Sequence, residues 1–464
     1  MTDHPRATPR RPILGRAGRA SAAGAAGLLA LALAACTPGA GNDAGGGDAS
    51  PAVDVNTDVA SLGEVELTVW DQEVRGGQAD QLEELNQAFE EAYPNVTINR
   101  VSRSTDDLRT TLRLALSGNE APDVVQVSNG RPDMGSYVEA GLLRNLDPYA
   151  EAYGWAERFD ASVLANASYT DDGATLGDGS VYGAAQMGEM VGVYYNRELL
   201  AELDLEAPTT WEEFDAAVVA AEEAGELPIQ FGNLDQWPGI HMLGAAQSRY
   251  VDPETIRDLG YGRPGSSWAT PENTQAAQAL VDWAEDGYLT PDFNGVGSDP
   301  AWQAFGEGEG VFLIGGTWLL ADLTDALGDS LGFTAFPGAD GQTVVATGGT
   351  SLPFAIPQRS ENADAAAAYI DFITSTDAMA VISEHGNLPV ADVAAQEAEG
   401  AQREVFDTYD RLVSGGGMVP YLDYATPDSY DVITQQVQSL MGGEATPEEF
   451  LDALETEYQE NVAQ

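Results

Sequence analysis

The sequence predicts an α/β protein built in layers, with a mostly parallel sheet. Three observations carry that expectation. From Glu64 onward, short strand-length apolar or alternating runs recur between amphipathic stretches of helix length. The hydrophobic fraction is 43% over 464 residues, enough for a sizeable core spread over two or three domains or one large bilobal unit. No repeat of solenoid period interrupts the alternation.

The first segment has a different texture. Arg6, Arg10, Arg11, Arg16 and Arg19 crowd the N-terminus, and no charge follows from Ala20 to Ala35. That stretch is short for a bilayer span and ends in small residues, so residues 1–35 read as a secretory signal. Leu33-Ala34-Ala35-Cys36 resembles the lipobox of bacterial lipoproteins, in which the Cys is lipidated and becomes the new N-terminus. Residues 36–63, rich in Gly, Ala, Asp and Pro, read as a flexible tether. Asp54-Val55-Asn56-Thr57-Asp58 imitates the start of an EF-hand loop, but Val59 and Val65 stand where the loop needs Gly and Glu.

The body then follows in order. Val65 to Trp70 alternates as a strand. Leu82, Leu85, Phe89 and Tyr93 recur at helical spacing before Pro94, and Val96-Thr97-Ile98 starts a second strand. Leu108, Leu112 and Leu116 mark a helix closed by Gly118, and Asp123 to Val127 forms a short apolar strand. Thr210-Trp211-Glu212-Glu213 fits a capping box, and Thr270-Pro271 supplies an N-cap with Pro in the first turn. Phe312-Leu313-Ile314 and Val344-Val345-Ala346 are brief apolar runs. Ala363 to Ile382 reads as one long helix, and Thr446-Pro447-Glu448-Glu449 opens the last one.

Composition excludes several functions. The chain carries 20 Arg, no Lys and 75 acidic residues, a net charge of −55, which no nucleic-acid partner would favour. Without an amine side chain there is no Schiff-base or P-loop chemistry. Removal of residues 1–35 leaves 15 Arg against 74 acids, net −59, a charge that favours solubility and is best tolerated in salt. One Cys forbids a disulfide framework, and His4, His241 and His385 are too scattered for a zinc site, so His241 and His385 read as structural. No HExxH, GxSxG or GxGxxG motif occurs, and carboxylates are too abundant for any pair of them to indicate a glycosidase.

The positive signal is aromatic. Eight Trp and 17 Tyr suit stacking on flat apolar faces such as sugar rings present, with filling of the core as the alternative use. Trp70-Asp71, Trp237 before Pro238-Gly239, and Trp318 behind Gly315-Gly316 all lie at strand ends, where open α/β sheets bind ligands.

Five elements, in order, resemble family 1 extracellular solute-binding proteins, the receptors of bacterial ABC sugar importers. They are Phe89 to Val96 with its Tyr-Pro turn, Ser117-Gly118 through Ala121-Pro122-Asp123-Val124, and Tyr194-Tyr195-Asn196-Arg197 followed by Pro208 to Phe214. The others are Phe305-Gly306-Glu307-Gly308 through Trp318, and Gly386-Asn387-Leu388-Pro389-Val390. Arg197 stands where the family usually has Lys. The resemblance covers roughly residues 64–464 and implies a two-lobed, type II periplasmic-binding-protein-like fold with hinge strands and a central cleft. It places the N-lobe in residues 64–190 and 346–395, the latter including the second hinge, and the C-lobe in 191–345 and 396–464.

The resemblance also implies site residues. Trp70 and Asp71 end the first strand where relatives bond sugar hydroxyls, and Gln72 and Glu73 continue that loop. Asn129 and Arg131 follow another strand. Glu189 matches a hinge carboxylate of maltodextrin-binding relatives; Gly316 precedes Trp318, a stacking platform, and Tyr430 matches a second platform. Trp237 joins them, and Gly349 and Thr350 sit at the second hinge. No catalytic residue, cofactor or metal is expected. The implied function is capture of a mono- or oligosaccharide by a monomer anchored through Cys36 on the outer membrane face, and delivery to ABC permease subunits, with closure driven by differential affinity for the two conformations. The alternatives are the same fold with glycerol phosphate, a polyamine or a peptide as solute, a surface glycosidase, or a structural envelope lipoprotein.

Overall fold

Short apolar strands can be buried on both faces only if helices cover them, and this chain shares most of its strands between two larger sheets, with one small two-stranded ribbon (residues 168–169 and 180–181) beside them. The computed structural model describes residues 54–118 and 121–462; the expected signal, Cys36 and most of the tether lie outside them. The strands are β1 (Val65–Asp71), β2 (Val96–Ser102), β3 (Val124–Gln126), β4 (Ser168–Tyr169), β5 (Ser180–Val181), β6 (Gly183–Ala184) and β7 (Gly188–Asn196). They continue with β8 (Ile229–Gln230), β9 (Phe312–Gly316), β10 (Leu331–Thr334), β11 (Ala346–Thr350), β12 (Phe354–Ala355) and β13 (Met418–Val419).

The first sheet has the order β2-β1-β3-β12-β6, and the second β13-β11-β7-β9-β8 with β10 also on β7. In β1, Leu67, Val69 and Asp71 point to the buried face, and the strand runs parallel to β2 from Val65↔Val96 to Asp71↔Ser102. The sheets are mixed and not mostly parallel: β12 is antiparallel to β3 and β6, and β7 is antiparallel to β9, β10 and β11. The reason lies in the crossings. The chain leaves the first sheet through residues 185–187 into β7 and returns from β11 through residues 351–353 into β12, so the two crossing strands run in opposite directions. They pair Gly348↔Met190 to Thr350↔Gly188. A third passage hugs them, with Leu388 O accepting from Gly188 N at 3.1 Å and Gln186 O accepting from Val390 N at 3.1 Å. The result is the two-lobed α/β architecture with crossing strands between the lobes.

Each expected helix has its buried stripe. Leu82, Leu85 and Phe89 are buried in Gly76–Ala92, where Phe89 meets Tyr369 edge-on at 5.4 Å, and Leu108, Leu112 and Leu116 are buried in Thr105–Ser117. Thr270 caps Pro271–Glu285, its hydroxyl accepting from Asn273 N at 3.1 Å, and Thr446 and Glu449 exchange two bonds at the start of Pro447–Val462.

Two expectations change. The long helix is two helices, Ala363–Ile373 and Thr376–Glu384, bent by 57°. Thr374 bonds back to Ile370 O while Ser375 caps the next helix through Ala378 N, so local side-chain bonds outcompete helix continuation. Residues 54–63 are packed and not a free tether. Val59 is buried beside Val55 and Leu62 against the core that holds Phe89 and Tyr369, and Asn95 Nδ2 donates to Val59 O at 3.0 Å and Gly63 O at 2.8 Å.

Candidate ligand-binding cleft

The loops that follow β1, β3, β8, β9 and β13 converge with β7 and the β11–β12 connection on one cleft. It encloses about 870 Å³ of empty space, the open solvent at its mouth included. Its placement outside strand carboxyl ends is where open α/β sheets put ligands.

One wall is aromatic and comes from the second lobe. The helix Trp237–Tyr250 begins with Trp237 and carries His241 one turn on, so both rings share a face. Trp318 follows β9; its ring centroid lies 6.1 Å from Trp237 and 5.1 Å from His241. Tyr421 lies 5.5 Å from His241, and Tyr424 5.5 Å from Tyr421. Gly316 makes this arrangement possible. A Cβ there would stand 1.9 Å from the Trp318 ring, so the missing side chain seats the indole and does not open backbone to a ligand. His241 Nδ1 has no hydrogen-bond partner, and burial pulls the imidazole down to about 3, so it is neutral at pH 7.

The opposite wall is polar and comes mainly from the first lobe: Gln72, Arg75, Gln78, Thr105, Arg109 and Asp133. Gln72 Oε1 accepts from Thr105 Oγ1 at 2.5 Å, and Arg109 Nε donates to both Asp133 oxygens at 3.2 and 2.9 Å. Between the walls, the carboxyl of Glu189 on β7 accepts a hydrogen bond from Tyr421 Oη at 3.5 Å. Burial, with the Glu73 charge adding to it, pushes Glu189 up to about 8. Burial likewise raises Glu73 to about 7 and Asp423 to about 6. Of these, Glu189 and Asp423 line the cleft, where a carboxyl near its titration point can accept hydrogen bonds from neutral hydroxyls or donate to them.

Of the residues expected at a site, Gln72, Glu189, Trp237, Trp318 and Tyr430 come together on this cleft. The others stand behind it. Asp71 is fully buried in a two-bond pair with Arg100 (2.9 and 2.8 Å), and its Oδ1 also accepts from Glu73 N, so it shapes the loop. Glu73 Oε1 accepts from Gln126 Nε2 at 2.7 Å, while Oε2 is buried without a partner. Trp70 is covered by the Arg103 guanidinium at 4.2 Å. Asn129 is consumed: its Nδ2 donates to Asn166 O and Thr350 Oγ1, and its Oδ1 accepts from Tyr424 Oη, the one of the three bonds that joins the two lobes. Gly349 adopts φ +145° against Asn166, and Arg131 lies in the turn Arg131–Gly135 outside the cleft wall.

Sequence reasoning missed His241, Tyr421, Tyr424, Arg75 and Arg109. His241 was legible through its four-residue spacing from Trp237; it is a cleft residue, while His385 is structural, its Nε2 2.8 Å from Glu84. Nothing local marked Arg109, whose partner Asp133 is 24 residues away.

Comparison with known proteins matches these features. The model of the bacterial extracellular solute-binding protein family fits residues 75–380. A multiple sugar-binding protein of Streptococcus mutans is 21% identical over 68% of this chain and 73% of its own length. A maltooligosaccharide ABC transporter solute-binding lipoprotein of Streptococcus pneumoniae is 26% identical over 77% of this chain and 79% of its own. Among solved structures, a chitin oligosaccharide binding protein superposes with TM-score 0.75 at 23% identity, covering 86% of this chain and all (100%) of the other. The GacH receptor of Streptomyces glaucescens superposes with TM-score 0.70 at 19% identity over 86% and 99% of the two chains. With two lobes, crossing strands and a cleft between them, and with a family match spanning most of its length, this chain belongs to the bacterial extracellular solute-binding proteins.

Proposed function

We propose that this protein is the sugar receptor of an ABC importer, held on the outer membrane face through lipidated Cys36 and working as a monomer. The observation that carries the sugar is the cleft's two-sided chemistry. An indole platform, Trp318 braced by Trp237 and His241, faces carboxyls and amides that match hydroxyls. A pyranose presents both surfaces, an apolar face and an equatorial rim of hydroxyls, and hydrogen bonds with an ionised partner are about twice as strong as neutral ones. The relatives named above are binding proteins, and turnover of the sugar is not expected here. Closure over the solute gives the permease a distinct shape to recognise, and the solute favours that shape by its differential affinity.

The test is tryptophan fluorescence and melting temperature of the soluble form begun after Cys36, against mono- and oligosaccharides, polyamines and glycerol phosphates. A saturable shift with a raised melting temperature for one sugar class supports the reading. A response confined to a charged solute overturns the sugar and leaves the receptor. Globomycin-sensitive, Cys36-dependent membrane retention in cells tests the anchor.

A further inference from the structure

Tyr430 lines the cleft, yet its ring is already occupied. Arg109, from the helix Thr105–Ser117 on the first-lobe side, places its guanidinium carbon 3.5 Å from the centroid of Tyr430, which belongs to the helix Ser429–Met441 on the second-lobe side. That separation is van der Waals contact over the ring face, the geometry in which a planar guanidinium both stacks and interacts with the ring quadrupole. The guanidinium is not free to swing away. Its Nε donates to both oxygens of Asp133, whose side chain is 11% exposed, and Asp423 adds a further negative charge nearby.

We infer that Arg109 is a specificity-determining residue that caps the Tyr430 platform and limits the cleft to a sugar of one or two units. The inference rests on the sugar reading above and adds chain length to it. With Tyr430 covered, the Trp237–Trp318 wall is the stacking surface left open. A ring stacked there has the polar residues beside it, and a longer chain that extends to Tyr430 meets a charged side chain where an aromatic face would otherwise receive it. Removing the cap while keeping Tyr430 therefore extends the accepted length. Asp133 left behind without its partner would be a buried lone carboxylate, so Asp133→Asn accompanies the change.

The experiment is calorimetric titration of the whole soluble protein and of the Arg109→Ala/Asp133→Asn variant. The probes are glucose, xylose and N-acetylglucosamine oligomers of one to five units, in α- and β-linked series. Wild-type affinity should level off by the disaccharide, while the variant should bind three units and longer about tenfold more tightly, as uncovering one aromatic face allows. Adding Tyr430→Ala to the variant should abolish that gain. Three outcomes overturn the inference: wild-type affinity that keeps rising beyond two units, an unchanged length profile in the variant, or lost affinity for short sugars with no gain for long ones. The last makes Arg109 an ordinary contact residue. Binding of no sugar by either protein overturns the sugar reading itself, and the cap with it. Melting curves of each variant separate misfolding from altered recognition.

Discussion

The two walls of the cleft are built on different physics. The second-lobe wall is a stack of rings, Trp237, His241, Trp318 and Tyr421, held by packing at 5.1–6.1 Å and seated by a glycine. The first-lobe wall is held by bonds with directions: Arg100 to Asp71, Gln126 to Glu73, Arg109 to Asp133. Stacking tolerates a ligand of varied orientation, whereas directed polar groups accept one arrangement of hydroxyls. On the sugar reading proposed above, the aromatic wall is expected to supply affinity and the polar wall selection. Aromatic rings outside the stack also carry arginines, Arg103 on Trp70 and Arg109 on Tyr430, so an exposed face is scarcer than the Trp and Tyr count suggests.

The largest effect is expected where the polar wall is anchored. Arg100→Ala leaves Asp71 fully buried without a counter-charge, and losing one partner of such a pair typically destabilises by about 3–5 kcal/mol. Chemical denaturation should show a lower midpoint with an unchanged slope; a midpoint within experimental error of wild type would mean the loop does not depend on this pair.

Next comes the aromatic wall. Trp318→Ala should weaken sugar binding by about 1–3 kcal/mol, from the burial of a large apolar side chain, with the melting curve still cooperative. Wild-type affinity by titration would remove Trp318 from the site. The seat of the ring matters too, since in the presence of Trp318 a Gly316→Ala change would push the indole from its place and should weaken binding in the same direction.

The meeting point of the walls gives a pH signature. Glu189 and Glu73 are raised from 4.5 to about 8 and about 7 in the folded state. The folded protein thus holds protons that the unfolded chain has released, so stability falls as pH rises from 4.5 towards 8 and then stops changing. His241, lowered from 6.5 to about 3, acts in the opposite sense, losing stability as pH falls below 6.5. Glu189→Gln removes one contribution alone. Melting temperatures from pH 5 to 9 should show wild type losing ground to the variant up to about pH 8, and a pH-independent gap would show that Glu189 is ionised throughout.

The smallest effect belongs to Trp70. Because Arg103 covers its ring at 4.2 Å and it does not line the cleft, Trp70→Leu should leave sugar affinity within about twofold, well under the 1.4 kcal/mol of a tenfold change. A loss comparable to that of Trp318→Ala would place Trp70 on the ligand after all.

Much of this molecule is determined locally and could be read from the sequence. Strand alternation at Val65–Trp70, the Leu108, Leu112 and Leu116 stripe, and the Thr270 and Thr446 caps depend on neighbours within a few residues, and the structure realises each. The family resemblance supplied the two lobes, which composition does not encode. Five expected residues met on one cleft, and of these Gln72 and Trp318 follow the ends of β1 and β9, a position that sequence pattern marks. Tertiary structure decided the rest. Whether Asp71 faces a ligand or Arg100, whether Trp70 and Tyr430 offer a ring or hide it under an arginine, and whether His241 is core or cleft all depend on partners from other elements. A side chain's chemistry is written in its own identity. Whether that chemistry is spent inside the protein or left for a ligand is set by what the fold packs against it, and no local pattern encodes that neighbour.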